Sequence, residues 1–303
     1  MNLQDPTAQE LQAGDLTAMF LPGHGMLGAS LRHRGAEILR RVDDLAASAS
    51  IGQSAGNPLL HPWANRLAGP HFTAAGRDVA LDPNSPLLSH DANGLPIHGV
   101  PWSMLAWQVT RATSTLLAAR LDWTHAALLA IFPFPHAVEM AATLDPDGVT
   151  IATTLFAHDA GPVPVSFGFH PYVGLPGLAR DEWRLELPAM RRLALDALQI
   201  PTGAEQPAPS FNGPLRGLVF DEGFALDHPR ASLAIAGAGR RVSVDLIEGY
   251  SFAQVYAPAG RDYVALEPMT APANALISGR SLQLVAPGER YTATFRIRVE
   301  ALV

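Results

Sequence analysis

The stretch Tyr291-Thr-Ala-Thr-Phe-Arg-Ile-Arg-Val299 alternates apolar and polar side chains without a break. In an extended chain Ala293, Phe295, Ile297 and Val299 fall on one face, and Thr292, Thr294, Arg296 and Arg298 on the other. That is the pattern of a β-strand with one face in a core and the other toward water. A helix of period 3.6 would scatter the same residues around its circumference. Val242-Ser-Val-Asp-Leu246 and Trp183-Arg-Leu-Glu-Leu187 repeat the alternation, and Leu16 to Phe20 does so more weakly. Turn-forming clusters separate such runs: Asp145 to Gly148, Ala236 to Gly239, Ala257 to Gly260, and Pro287-Gly288. Glycine supplies positive φ and proline a fixed φ at such corners. Repeated short strands punctuated in this way predict an all-β fold, a sandwich or barrel.

Helix signals are few. Ala36 to Leu45 suits a helix or a pair of strands equally. Pro201 to Gly217 reads as a long surface loop, because strand patterns resume on both sides. No internal repeat or linker divides the chain, so residues 1–303 are expected to form one domain, with residues 1–12 as a loose N-terminal segment.

Composition narrows the function. Hydrophobic residues make up 48% of the 303 and charged residues 16%, enough apolar material for a core and too little charge for a disordered chain. There is no cysteine, hence no disulfide framework, thiolate nucleophile or cysteine zinc site. All 21 basic residues are arginine, which removes Schiff-base and phosphate-loop lysines and the Ser-Lys pattern. The net charge of −7 argues against a nucleic-acid partner. The opening MNLQDPTAQE has no basic start or apolar run, so no secretory leader is expected and a cytoplasmic location is. The most apolar window, Ala126 to Phe134, is broken by Pro133 and Pro135 and is too short to span a membrane.

Four segments place polar residues inside strand-like or turn-rich sequence: Gly56 to Gly69, Leu95 to Trp102, Val165 to Val173, and Tyr263 to Thr270. His170 follows an apolar run, and Pro171 after it forces an extended or turn conformation. Glu267 stands at the end of the apolar run Val264-Ala-Leu, again before a proline, where loss of water raises a carboxyl pKa toward the range of a useful base. Singly, each reads more readily as an ordinary strand-end histidine or an ion-paired glutamate. Arg66, beside Asn65, has a guanidinium suited to gripping hydroxyls. His98 precedes Gly99, which permits close approach of the backbone to a ligand. Trp63, Trp102 and Tyr172 flank these segments and offer faces to a sugar ring or to a core. Together, two histidines, a glutamate and an arginine make an acid–base kit without a nucleophile. No H-E-x-x-H ligand pair or G-x-S-x-G elbow occurs, which argues against metal catalysis and an α/β-hydrolase.

The order of these segments resembles the aldose 1-epimerase (galactose mutarotase-like) family. The chain carries GNPLLHPWANR at 56–66, HG at 98–99, GFHPY at 168–172 and EPMT at 267–270. Ile200-Pro-Thr-Gly203 and Asp221-Glu-Gly-Phe224 add to the likeness, which spans roughly residues 16 to 299. It departs from the family at His61, where an apolar residue is usual, at Val173 in place of a phenylalanine, and in the Val-Pro-Trp after Gly99. The resemblance implies a large antiparallel β-sandwich with a cleft on one sheet. It implies a base at Glu267, an acid at His170, sugar contacts from His98, Arg66 and Asp221, support from Asn65, and no cofactor. The expected substrate is a free hexose, acted on by a monomer or homodimer, with no nucleic-acid or membrane partner. A hexose-6-phosphate 1-epimerase would need several arginines at the cleft, with Arg32, Arg34, Arg40, Arg41, Arg66 and Arg77 as candidates. A silent carbohydrate-binding protein would lack Glu267 or His170. A glycoside hydrolase would use Glu267 and Asp221 as a carboxylate pair.

Overall fold

The structure is a computed structural model and describes residues 5–42, 45 and 55–302. The stretch Tyr291 to Val299 lies within the strand Arg290–Ala301, in the interior of a nine-stranded sheet. Ala293, Phe295, Ile297 and Val299 are buried as their alternation predicts. Phe295 faces Ile151 on one neighbour and Leu246 on the other, and Ile297 faces Val149 and Val244. Each such side chain withdrawn from water contributes roughly 1.5–3 kcal/mol, so this ladder of cross-strand pairs is a main prop of the core.

The nine-stranded sheet runs Gln108–Ala112, Leu116–Trp123, His136–Asp145, Gly148–Ala157, Arg290–Ala301, Arg240–Glu248, Ala231–Gly237, Arg184–Leu187, Phe211–Pro214. An eight-stranded sheet runs Pro201–Ala208, Met190–Leu195, Phe220–Ala225, Phe252–Ala257, Val264–Met269, Gly168–Phe169, Leu59–Leu60, with Tyr172–Val173 also paired to Val264–Met269. The pairings within both sheets are antiparallel. A four-stranded sheet begins with Gln9–Ala13 against Leu16–Leu21, so residues 9–12 are paired strand and not part of a loose N-terminal segment. One cluster of buried apolar side chains draws on both large sheets, with Phe295 and Ile297 from one and Val255, Val264 and Leu266 from the other. The architecture is the all-β antiparallel sandwich expected.

Three local expectations are corrected or refined. Pro201 to Gly217 is not a loop: Pro201–Ala208 forms the edge of the eight-stranded sheet, and Phe211–Pro214 the edge of the nine-stranded one. Its prolines hid the strands, yet proline is admitted at an edge because the open side has no partner awaiting an N–H. Ala36 to Leu45 supplies the short strand Ala36–Glu37, while Asp43 and Asp44 lie outside the described residues. Ala126 to Phe134 holds a short helix, Ala126–Ile131, closed before Pro133. Among the described residues no helix is long and apolar enough to cross a membrane.

Candidate active site

The strand Val264–Met269 is buried on both faces. Val264 and Leu266 join the central core, while Ala265, Glu267 and Met269 point the other way. Glu267 therefore sits within the strand rather than at its end, which revises the sequence expectation. Pro268 has no N–H for the ladder, and one flank of the strand is formed only by the two-residue strands Gly168–Phe169 and Tyr172–Val173.

Register assembles the floor of a cleft. Across neighbouring strands Gly223, Gln254 and Glu267 stand in one row, and Asp221, Tyr256, Ala265 and Tyr172 in the next. His170 lies between the two short strands, where its backbone N–H donates to the Pro58 carbonyl at 3.0 Å. Gly168 beside it has no space for a side chain, since a Cβ would sit 2.7 Å from the Pro268 carbonyl oxygen. The loop carrying Asn65 and Arg66 and the segment carrying His98 form the walls. The cleft has a volume of about 270 Å³. That is slightly below the range of drug-sized pockets and suits a small ligand.

The six residues to which the resemblance gives catalytic or sugar-binding roles all line this cleft: Asn65, Arg66, His98, His170, Asp221 and Glu267. Nε2 of His170 is 3.2 Å from Oε1 of Glu267. The His170 ring stacks on Tyr172 with centroids 4.1 Å apart, and the Arg40 guanidinium lies over the rings of Tyr172 and Tyr263. Nδ1 of His170 and Oε2 of Glu267 are buried without partners. Burial, and secondarily the charge of Asp221, raise the Glu267 carboxyl well above the usual range, against the pull of Arg66. Burial, then His98, and more weakly Arg40, push the His170 imidazole well below its usual range. Both groups are thereby driven toward their uncharged forms.

His98 has a defined tautomer. The Asn65 backbone N–H donates to its Nδ1 at 3.2 Å, so the neutral ring carries its proton on Nε2. Burial and the Arg66 charge push its pKa down to about 3, which keeps the ring neutral. The His98 N–H in turn donates to the Asn65 carbonyl at 3.0 Å. Both residues adopt positive φ, 59° for Asn65 and 63° for His98, a conformation that non-glycine residues hold only under constraint. Nε of Arg66 donates to Asp91 at 2.8 Å and its NH1 to the Asn65 side chain at 3.3 Å. Asp221 accepts from the Gln254 amide at 2.7 Å.

Gln254, Tyr256 and Asp91 were missed from sequence. In Phe252-Ala-Gln-Val-Tyr-Ala257 a buried glutamine interrupts an apolar strand and shares a face with Tyr256, which is a usable signal. Asp91 lies in a polar turn and gave none. Trp63 and Trp102, by contrast, are core side chains and do not line the cleft. Gly99 approaches the carbonyl of His61, not a ligand: a Cβ would lie 2.3 Å from that oxygen. His61 is buried away from the cleft against Trp123, His136 and Phe167.

The sequence profile of the family described as aldose 1-epimerase matches residues 9–298. The chain belongs to the aldose 1-epimerase family. A curated relative, the uncharacterized protein YihR of Escherichia coli strain K12, is 27% identical over 251 residues, 79% of this chain and 77% of its own. Among solved structures, the Slr1438 protein of Synechocystis sp. PCC 6803 superposes with a TM-score of 0.79 at 25% identity, covering 97% of this chain and 96% of that one. A galactose mutarotase-like protein from Clostridium acetobutylicum gives a TM-score of 0.82 at 18% identity, covering 97% and 95%. The latter likeness establishes the fold, and the family's name is that of a sugar isomerase.

Proposed function

We propose that this protein is a mutarotase that interconverts the α and β anomers of a free aldohexose such as glucose or galactose. The observation that carries the reading is the buried contact of 3.2 Å between His170 and Glu267 on the floor of a small polar cleft. Opening a hemiacetal needs a base at the C1 hydroxyl and an acid at the ring oxygen, and nothing else is gained or lost. Glu267 removes the hydroxyl proton as the bond from C1 to the ring oxygen breaks, and His170 delivers a proton to that oxygen. The C1–C2 bond turns, and the same groups in reversed roles close the ring on the other face. The pair holds one transferable proton throughout. The resting form, with that proton on Glu267, and the reactive form, with it on His170, differ by its movement across their contact.

The other lining groups support the sugar. Nε2–H of His98 is a fixed donor beside the ring oxygen or a neighbouring hydroxyl. Asp221, held by Gln254, and Arg66, held by Asp91 and Asn65, grip hydroxyls. No cofactor is required. The reading takes the chain as one catalytic domain, cytoplasmic, working as a monomer or homodimer.

A free aldose is favoured over a hexose 6-phosphate by charge. Arg66 is paired with Asp91, Arg32 and Arg41 with Glu37, Arg34 with Asp15, Arg77 with two backbone carbonyls, and Arg40 lies over the rings of Tyr172 and Tyr263. The Asp221 carboxylate in the cleft would repel a phosphate. A silent binding protein has no need of a desolvated histidine–glutamate contact.

The test is polarimetry on freshly dissolved α-D-glucose and α-D-galactose. The protein is expected to speed the approach to anomeric equilibrium, with His170→Asn and Glu267→Gln each losing at least about 10²-fold. Undiminished turnover by Glu267→Gln would refute the acid–base assignment. Acceleration confined to hexose 6-phosphates would move the substrate to that class.

A further inference from the structure

His61 and His136 form a hydrogen bond of 2.9 Å between their Nε2 atoms, and both residues are buried. Neither lines the cleft. Their cage is aromatic: Trp123 stacks on His136 at 5.4 Å, Phe132 meets His136 edge-on, and Trp123 and Phe167 border His61. The hydrogen bonding admits one arrangement of protons. Nδ1 of His136 lies 2.6 Å from the Phe134 carbonyl, which can only accept, so His136 carries its proton there. Its Nε2 is then bare and accepts from Nε2–H of His61. Nδ1 of His61 is left bare, which agrees with its being buried without a partner. Burial first, and in His61 the facing His136, in His136 the nearby His158, hold both rings below the usual histidine range and so uncharged.

The two histidines belong to opposite walls of the sandwich. His136 opens the strand His136–Asp145 of the nine-stranded sheet, between Trp123 and Ala157. His61 opens the loop that carries Asn65 and Arg66. The His61 carbonyl accepts the Val100 N–H at 2.9 Å, and Gly99 packs directly on it. One residue further, His98 and Asn65 exchange hydrogen bonds, and Arg66 bridges to Ile97. The segments 61–66 and 97–100 are thus zipped together, and the His61 imidazole is a directional tie from them to the far sheet. An apolar residue at 61 would fill the space without fixing an orientation.

We propose that the His61–His136 pair is a positioning device for the cleft, setting the register of the zipped segments and hence the aim of His98 and Arg66 at the sugar. Its effect on turnover rests on the mutarotase reading; its effect on His98 does not.

The experiment combines kinetics with ¹⁵N-histidine NMR on the intact protein. In the wild type at pH 7, His136 is expected as the Nδ1–H tautomer and His61 as Nε2–H; a charged ring or the reverse pairing overturns the proposal without any variant. His61→Phe and His136→Phe each leave one imidazole unpaired, while the double variant leaves none. Each single variant should lose about tenfold or more in kcat/KM, the double no more than the worse single, and His98 should lose its pure Nε2–H signature in all three. The double variant should melt closer to the wild type than the sum of the singles predicts. Variants that melt lower yet keep kcat/KM within about twofold, with His98 unchanged, would reduce the pair to a structural role and overturn the proposal. If the wild type accelerates no aldose, the functional reading fails, and the His98 signature alone decides the positioning role.

Discussion

Glu267 and His170 are ordinary side chains given unusual surroundings. The carboxyl is raised and the imidazole lowered chiefly by burial, and both shifts widen the pH range over which the pair is uncharged and holds one proton. A second proton, taken by His170 in acid, removes the base function. Loss of the only transferable proton, from Glu267 in alkali, removes the acid function. The plot of kcat/KM against pH should therefore be a broad plateau through neutrality that falls on both sides. A narrow bell centred near the pKa of a free histidine, about 6.5, would mean that the pair is not desolvated as described. At this scale sequence reading found the ionisable groups because their types and order are distinctive. It passed over Gln254, a polar interruption of an apolar strand whose importance shows only in being opposite Glu267 and beside Asp221 across two strand pairings. Nor could it place His61, since proximity in sequence to Arg66 says nothing about the direction of a side chain after a turn.

At the scale of elements, the strands with one wet face were legible and those without were not. Tyr291 to Val299 alternates because Arg296 and Arg298 face away from the core, Arg296 pairing with Asp145 at 2.7 Å. Val264–Met269 is buried on both faces, so its sequence carries no alternation, and the proline within it suggested an end that is not there. The edge strands Pro201–Ala208 and Phe211–Pro214 are largely exposed and read as a loop for the same reason: hydrophobicity marks burial, and edges have little. The junction of the segments 61–66 and 97–100 permits a direct test. Gly99 has φ of 65° and no room for a Cβ beside the His61 carbonyl. Gly99→Ala should cost about 1–3 kcal/mol or more in unfolding free energy and reduce kcat by displacing His98. Denaturant titration measures the first and polarimetry the second; a fully active variant would show that the segments move independently.

For the whole molecule, burial of histidines sets the response to acid. His61, His98, His136 and His170 hold their protons less tightly folded than unfolded, with His98 pushed down to about 3 and His136 to about 4. Below the unfolded value of about 6.5 the unfolded chain binds more protons, so stability is full above that pH and declines as pH falls toward the folded values. Each histidine contributes a slope of about 1.4 kcal/mol per pH unit in that window. Glu267 acts in the opposite sense, because its raised folded pKa makes the native state the better proton binder, and it offsets part of the histidine effect. The net expectation is a melting temperature that drops between pH 7 and pH 5, with a shallower drop in the His61→Phe/His136→Phe double variant. An equal drop in both proteins would mean that these rings are not the acid-labile groups.

The segment that crosses from one sheet to the other leaves a further mark. Pro201 and Pro207 lie on the outer strand of the eight-stranded sheet, and Pro214 ends the outer strand of the nine-stranded sheet. An open edge is ordinarily a template on which a neighbouring molecule can lay its own strand, the first step toward filaments and amyloid. Here the template lacks a backbone donor at Pro201, Pro207 and Pro214, which interrupts any ladder a neighbour could lay on it. The same interruptions weaken this flank as a seam for strand-to-strand pairing between copies of the chain.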